Sequence, residues 1–478
     1  MRKTKLVCTL GPASDSEDVI RAMLLAGMDV ARLNFSHSTH AAHAQTIARF
    51  RKVRDELGKS AAVILDTKGP EIRIGAFAGG AAQLEAGAEF TLVAGDVPGD
   101  ATQVSVSYAA LADQLEPGAR LLLDDGKLEF RVLACADARV RCRVVQGGLL
   151  KDHKSINIPG ARLDMPFLSE RDQEDLLFGI AQDVDFVAAS FVRRKEDVIA
   201  LRKFLNYHKG HDIRIIAKIE NMEGIENFHE ILEHSDGIMV ARGDMGVEVA
   251  YEKLPGLQKK FIRACYQSGK MVITATQMLE SMVTSPNPTR AEITDVANAV
   301  FDGTSAVMLS GESAAGQYPV RAVEVMAKIA EQAEEDAFSM DVFAGIRYDM
   351  DATDTTNAIC DATCTTARDL HAAAVIAVTK SGQTARRMSK FRPFEPIIAA
   401  TPKVKTFQQL SLSWGVYAVL AEMQASTDEL FVHAVDCAQQ LDIVHDGDVV
   451  VITAGIPLGH SGTTNLLKVQ RVGGPFWD

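Results

Sequence analysis

Residues 214–221 read RIIAKIEN. A short apolar run of this kind predicts a buried strand. Strand side chains alternate between two faces, so Lys218 and Glu220 point the same way. Burying an unpartnered charge is costly. Either this strand end opens to water, or something bound there needs both charges.

The same design recurs along the chain, in LVCTLGP (6–12), DVARLNFSH (29–37), AVILDTKGP (62–70), DFVAASFV (185–192), GIMVARGD (237–244), MVITATQM (271–278) and AVMLSGES (306–313). With 214–221 this makes eight apolar runs, each turning polar at its C-terminal end. Helical patterns lie between most of them. SDSEDVIRAMLLAG (14–27) and SERDQEDLLFGIAQ (169–182) begin with serine, carry acids in the first turn and then turn apolar at helical spacing. Alternating strand–helix units predict an α/β protein built on a (β/α)₈ TIM barrel, whose site collects at the C-terminal strand ends. Lys218 and Glu220 then stand at the barrel mouth, and Glu220 and Asp244 each end a strand.

The third and fourth strands are more than a hundred residues apart. Between them, AEFTLVAG (88–95), ARLLLDDGKLEFRVLA (119–134) and RVRCRVVQGG (139–148) predict an inserted all-β domain, with DDGK (124–127) as a tight turn. An insertion on this face is placed to act as a lid. After a helix-rich stretch and a polar break near 346–356, AAVIAVTK (373–380), PIIAAT (396–401), GVYAVLA (415–421) and DVVVITAG (448–455) predict a C-terminal open α/β domain. The expected domains are a barrel over 1–69 and 166–345, a lid over 70–165 and an α/β domain over 346–478.

At 478 residues the chain is long enough for about three domains. Apolar residues make up 47% and charged residues 24%, ordinary for a globular protein. The apolar runs fall short of the ~18 residues that span a membrane, and the start is too weakly apolar for a signal peptide. The seven cysteines form no CxxC pair, which predicts reduced thiols and a cytoplasmic protein. Cys360 and Cys364 could share a helix face. The net charge of −13 and the lack of a basic stripe argue against nucleic-acid binding. No GxxxxGK[ST] loop is present, so a nucleotide would not sit in a Walker A cradle.

Several groups carry chemistry. Glu220 and Asp244 suit Mg²⁺ or Mn²⁺, with Lys218 beside them for a phosphoryl group or an enolate; they could equally close as a structural salt bridge. The glycines of GDMG (243–246) could let backbone N–H groups meet an anion at a helix start, or form a plain turn. Asn34, Ser36, Asp66 and Thr67 offer oxygens on neighbouring strands, fitting a monovalent cation or a polar network closing the barrel end. Arg32 and Arg73 are candidate anion forks. Thr276 could relay a proton or cap the following helix. TKSGQT (379–384) and SGTT (461–464) read as phosphate cradles of a second site, or as ordinary strand–helix turns.

Taken together, MRKTKLVCTLGP, DVARLNFSH, LDTKGPEIR, IIAKIENMEGIENF, DGIMVARGDMGVE, TATQMLESM and RAEITDVANAVFDGTSAVMLSGESA closely resemble the pyruvate kinase family over nearly the whole chain. The resemblance implies that phosphoenolpyruvate and ADP give pyruvate and ATP, through an enolate that is then protonated. It implies that Arg32 binds the substrate phosphate and that Lys218 stabilises phosphoryl transfer and the enolate. Glu220 and Asp244 would ligate Mg²⁺ or Mn²⁺, and Asn34, Ser36, Asp66 and Thr67 would hold K⁺. Asn34, His37, Arg73 and Lys154 would contact the nucleotide. Gly243 and Asp244, with Thr276, would hold the substrate carboxylate, and Thr276 would help to protonate the enolate. Glu71 goes with K⁺ dependence in this family, where a lysine can replace the cation.

Thr379, Lys380, Ser381, Gly382, Thr384, Ser461, Gly462 and Thr463 match the family's effector region, for a sugar phosphate or nucleoside monophosphate. A homotetramer is implied. The chain departs from the family in NFSHST for NFSHG, GDMG for GDLG, and Arg194 where many members have lysine. Its end soon after VQRVGGPFWD implies that the extra C-terminal domain of some bacterial members is lacking. Two other readings compete. A metal-dependent lyase or aldolase working through a pyruvate enolate would turn over without nucleotide. A non-catalytic regulator would have lost Lys218 or the metal ligands, and all are present.

Overall fold

The computed structural model describes residues 1–343, 354–458 and 462–474. Eight parallel strands close a barrel: β1 (Lys5–Thr9), β2 (Val30–Asn34), β3 (Ala62–Asp66), β4 (Phe186–Ala189), β5 (Arg214–Ile219), β6 (Gly237–Ala241), β7 (Met271–Ala275) and β8 (Ala306–Leu309). β1 pairs with β8 to complete the ring. The strands are short and almost wholly buried because the barrel core lies on one face and the helices on the other. Val7, Val30, Ile64, Phe186, Ile216, Met239, Ile273 and Met308 form the interior cluster. Leu6, Cys8, Leu33, Val63, Ile215 and Val307 belong to the larger cluster shared with the helices.

The helices start where their caps dictate. Ser16 accepts from the Val19 amide ahead of the helix Glu17–Ala26. Ser169 and Asp172 form a reciprocal capping box on the helix Glu170–Ala181.

Between β3 and β4 lies the inserted domain. A six-stranded sheet runs in the order Ile156–Asn157, Arg120–Leu123, Leu128–Ala136, Arg139–Gln146, Glu89–Ala94, Gln103–Val106. A two-stranded ribbon pairs Ala81–Leu84 with Gly148–Lys151. The domain has its own core, in which the Phe90 and Phe130 rings lie 5.6 Å apart. DDGK forms the turn between two of its strands. The insertion is not purely β, since it includes the short helix Leu111–Gln114.

The C-terminal sheet orders as β11 (Val416–Leu420), β10 (Ile397–Thr401), β9 (Ala374–Val378), β12 (Val449–Gly455) and β13 (Thr464–Arg471). β13 was not expected. It runs antiparallel at the edge, where only one side is paired and much of it meets solvent, so TNLLKVQR lacks a strand's apolar run. Gly462 and Thr463 therefore precede a strand, and no helix follows them as a strand–helix turn would require. Most of the polar break near 346–356 lies outside the described residues. Cys360 and Cys364 do share the buried face of the helix Thr355–Asp369, and all seven cysteines are free thiols. Among the described residues no helix is long and apolar enough to cross a membrane.

Candidate active site

The barrel's alternation carries the site. Two residues beyond an interior apolar side chain, the next inward position reaches the mouth: Thr9 after Val7, Arg32 after Val30, Asp66 after Ile64, Ser190 after Phe186 and Ala188, and Lys218 after Ile216. Glu220 follows Lys218 one residue past the end of β5. Lys218 Nζ donates to Ser190 Oγ at 2.7 Å and lies 2.9 Å from Glu220 Oε1 and 3.2 Å from Asp66 Oδ1. Its three ammonium hydrogens thus have three acceptors. Arg32 Nε donates to Asp66 Oδ2 at 2.6 Å and Nη1 to Thr9 Oγ1 at 2.9 Å.

Loss of hydration disfavours both the Lys218 ammonium and the Asp66 carboxylate, but their mutual attraction wins. The lysine pKa is raised by Asp66 and Glu220, and Asp66 is held below the usual carboxylate range by Arg32 and Lys218.

Glu220 behaves differently. It is 1% exposed, and burial pushes its pKa up to about 7, against the pull of Lys218 and helped by Asp244. Burial raises Asp244 as well, with Asp125 and Glu71 adding to it against Lys218. Asp244 does not end a strand: β6 stops at Ala241, and Asp244 sits in the first turn of the helix Arg242–Glu248. Two neighbouring carboxylates that both resist ionisation fit a divalent cation, which would discharge them. Among the described residues no group of three or more metal-ligating side chains gathers. The pair supplies two ligands, a count that suits Mg²⁺ completed by water and phosphate.

Asn34 pairs in register with Asp66 across β2 and β3, and both line a cleft of about 320 Å³ together with Ser36. Thr67 does not line it: its hydroxyl accepts from the Ser190 amide at 3.1 Å. Arg32, His37, Arg73, Lys154, Lys218, Glu220 and Asp244 do line it. Arg73 and Lys154 reach it from the lid, Arg73 paired with Glu71 at 2.7 Å and Lys154 with Asp124 at 2.7 Å.

Gly243 and Thr276 stand beside this cleft rather than in its wall. The Gly243 amide donates to Thr276 Oγ1 at 2.7 Å, so the group expected to receive a carboxylate is closed on a hydroxyl. Thr276 caps no helix. It has φ of 70°, and a 3₁₀ turn (Glu280–Val283) follows four residues later. Arg242 clamps this strained turn, with Nη2 donating to the Thr276 carbonyl at 2.6 Å and Nη1 lying 2.7 Å from Asp295.

Sequence reasoning did not nominate Ser190, Thr9, Lys68 or the acids Asp124 and Asp125 of the lid turn. The inward alternation Phe186, Ala188, Ser190 was the available signal for the first. For the lid acids there was none, since a tight turn is polar wherever it points.

In the C-terminal domain, the Gly382 amide donates to Thr379 Oγ1 at 3.0 Å ahead of the helix Gln383–Lys390, and the Ser381 carbonyl accepts from Arg386. Thr384 and Thr464 hydroxyls meet at 2.7 Å, bringing TKSGQT beside the end of SGTT. Gly462 and Thr463 lead into β13, and Ser461 lies outside the described residues. A separate cavity adjoins this loop; Thr379 and Lys380 line it with Met423, Leu430 and His433.

Comparison with known proteins matches this architecture. The family model described as pyruvate kinase, barrel domain, covers residues 1–323, and that described as pyruvate kinase, alpha/beta domain, covers 357–470. The pyruvate kinase of Clostridium acetobutylicum is 49% identical over 99% of this chain and 100% of its own length. That of Geobacillus stearothermophilus is 48% identical over 98% of this chain and 80% of its own. That of Staphylococcus saprophyticus is 49% identical over 99% and 81%. With the barrel domain and the α/β domain matched in order, and relatives of that name nearly half identical over almost the whole chain, the chain belongs to the pyruvate kinase family and is a phosphotransferase of that kind.

Proposed function

We propose that the cleft between barrel mouth and lid transfers the phosphoryl group of phosphoenolpyruvate to ADP, with the residue roles that follow. The observation carrying this reading is the pair Glu220 and Asp244, two carboxylates of raised proton affinity beside a lysine ammonium.

Arg32 binds the substrate phosphate. Lys218, held by three acceptors, presents its charge to the transferring group and then to the enolate oxygen. Glu220 and Asp244 hold Mg²⁺ or Mn²⁺, which when bound neutralises developing charge. Asn34, Ser36, Asp66 and Thr67 hold K⁺. Asn34, His37, Arg73 and Lys154 bind the nucleotide. Gly243, Asp244 and Thr276 hold the substrate carboxylate once the Gly243–Thr276 bond opens, and Thr276 then delivers a proton to the enolate through water. Lid closure excludes water that would otherwise accept the phosphoryl group.

The same reading places the domains at 1–69 with 166–345, 70–165 and 346–478. It gives the loops around Thr379–Thr384 and Ser461–Thr463 a sugar-phosphate or nucleoside-monophosphate effector, and it makes the enzyme a cytoplasmic homotetramer.

Pyruvate formation from phosphoenolpyruvate and ADP with Mg²⁺, measured with and without K⁺ and in Lys218→Met, tests the reading. K⁺-stimulated turnover that collapses in the variant is expected. A Lys218→Met enzyme with undiminished turnover would overturn the assigned roles.

A further inference from the structure

Five lysines and arginines line the cleft: Arg32, Lys68, Arg73, Lys154 and Lys218. Four are neutralised within the protein, by Asp66 at 2.6 Å, Glu71 at 2.7 Å, Asp124 at 2.7 Å and Glu220 at 2.9 Å respectively. Lys68 makes no ion pair and no hydrogen bond with any described residue. It is half-buried, so its charge is not simply dissolved in bulk water. A lysine in that position is a point charge available to an anion.

Its backbone is fixed on both sides. The Thr67 amide donates to the Ala188 carbonyl at 3.0 Å, and the Gly69 amide to Asp172 Oδ1 at 3.0 Å. Gly69 has φ of 71°, and a Cβ there would lie 2.9 Å from the Ser190 carbonyl oxygen, so only glycine makes this turn. Lys68 therefore leaves a rigid strand end, five residues before Arg73 on the same segment.

We propose that Lys68 is a substrate-contacting residue that binds the distal phosphate of the nucleotide, as the uncommitted cation of the cleft. The inference rests on the reading that Arg73 and Lys154 bind the nucleotide. The substrate phosphate has Arg32 and Lys218, two cations on the barrel side. The nucleotide diphosphate has Arg73 and Lys154, and Lys68 lies on the segment that leaves the end of β3 and leads to Arg73, where an unpaired cation adds to that anion site.

The test compares Lys68→Met, Lys68→Arg and Arg73→Met with the full-length enzyme, Mg²⁺ and K⁺ being saturating, and checks folding by thermal melting. KM for ADP is expected to rise at least tenfold in Lys68→Met, with KM for phosphoenolpyruvate changed less than twofold. Lys68→Arg should recover most of the loss. Equilibrium binding of Mg·ADP without the other substrate should weaken in parallel. A rise in Arg73→Met but not in Lys68→Met overturns the Lys68 inference alone. No rise in either variant overturns the nucleotide reading on which it rests, and the inference with it. A rise confined to KM for phosphoenolpyruvate, or a fall in kcat with both KM values unchanged, also overturns the inference.

Discussion

The Ser190 hydroxyl accepts a hydrogen bond from Lys218 Nζ at 2.7 Å while lying 2.6 Å from the Thr67 carbonyl, to which it donates. Ser190 thus ties the lysine of β5 to the end of β3 across β4. Hydrogen bonds to charged groups contribute about 1.5–3 kcal/mol. Ser190→Ala should lower kcat roughly tenfold with little change in melting temperature. Steady-state kinetics decides it: a variant as fast as the parent would show that Asp66 and Glu220 alone fix Lys218.

Glu71 lies 2.7 Å from Arg73, so the charge of this arginine is already matched and does not substitute for a monovalent cation in the cleft. The enzyme should lose about tenfold or more of its rate when K⁺ is replaced by tetramethylammonium, and Glu71→Lys should blunt that dependence. Titrating K⁺ against both forms gives the answer, and identical K⁺ curves would sink the argument.

The loop that follows Asn34 and bears Ser36 and His37 is braced from outside. The His43 ring stacks on Phe35 with centroids 4.2 Å apart, and its Nε2 lies 2.9 Å from the His37 carbonyl. Burial lowers the His43 pKa, so the ring is neutral and its Nε2–H donates. His40 meets Asp175 at 2.5 Å on the same flank. His43→Leu should raise the K⁺ concentration for half-maximal activity several-fold, on the order of one lost hydrogen bond, and His43→Gln should restore part of it. An unchanged K⁺ constant in His43→Leu would remove this positioning role.

Lys3 is buried at the barrel base, where loss of hydration pushes its pKa down to about 8 despite Glu334 and Glu395. An unfolded lysine titrates near 10.5. Between these values the unfolded chain binds the extra proton, so this residue's contribution to stability rises with pH. Its penalty is in full force below pH 8 and is relieved as pH approaches 10.5. Denaturant unfolding of the parent and Lys3→Met at pH 7 and pH 10 should show the variant's advantage shrinking, by an amount on the order of 3 kcal/mol at most. A gap constant with pH would count against it.

Much of this was legible in the sequence, for physical reasons that differ by element. Barrel strands announce themselves because both faces are buried, so each is an apolar run with a polar end. Lys218, Glu220, Arg32 and Asp66 stand out as charges at those ends. Ser190 did not, because a serine is as ordinary in a turn as in a site. Asp244 was assigned to a strand because ARGD continues an apolar run, whereas the chain had already turned into a helix at Arg242. β13 hid because an edge strand need not be apolar. Lys68 looked like one more polar residue, and only the pairing of its four neighbours singles it out.

The lid departs from the barrel and returns at adjacent strands: Thr67 bonds to Ala188, and Ile64 stands opposite Phe186. The barrel therefore cannot complete its ring until a long detour of chain has come back to its starting point. The entropy of closing such a loop grows only with the logarithm of its length. A detour that condenses around its own core, as this one does around Phe90 and Phe130, shortens the effective gap before β4 arrives. The order of assembly this favours on the ribosome is lid before ring, with β4 docking onto β3 after the insertion between them has already folded.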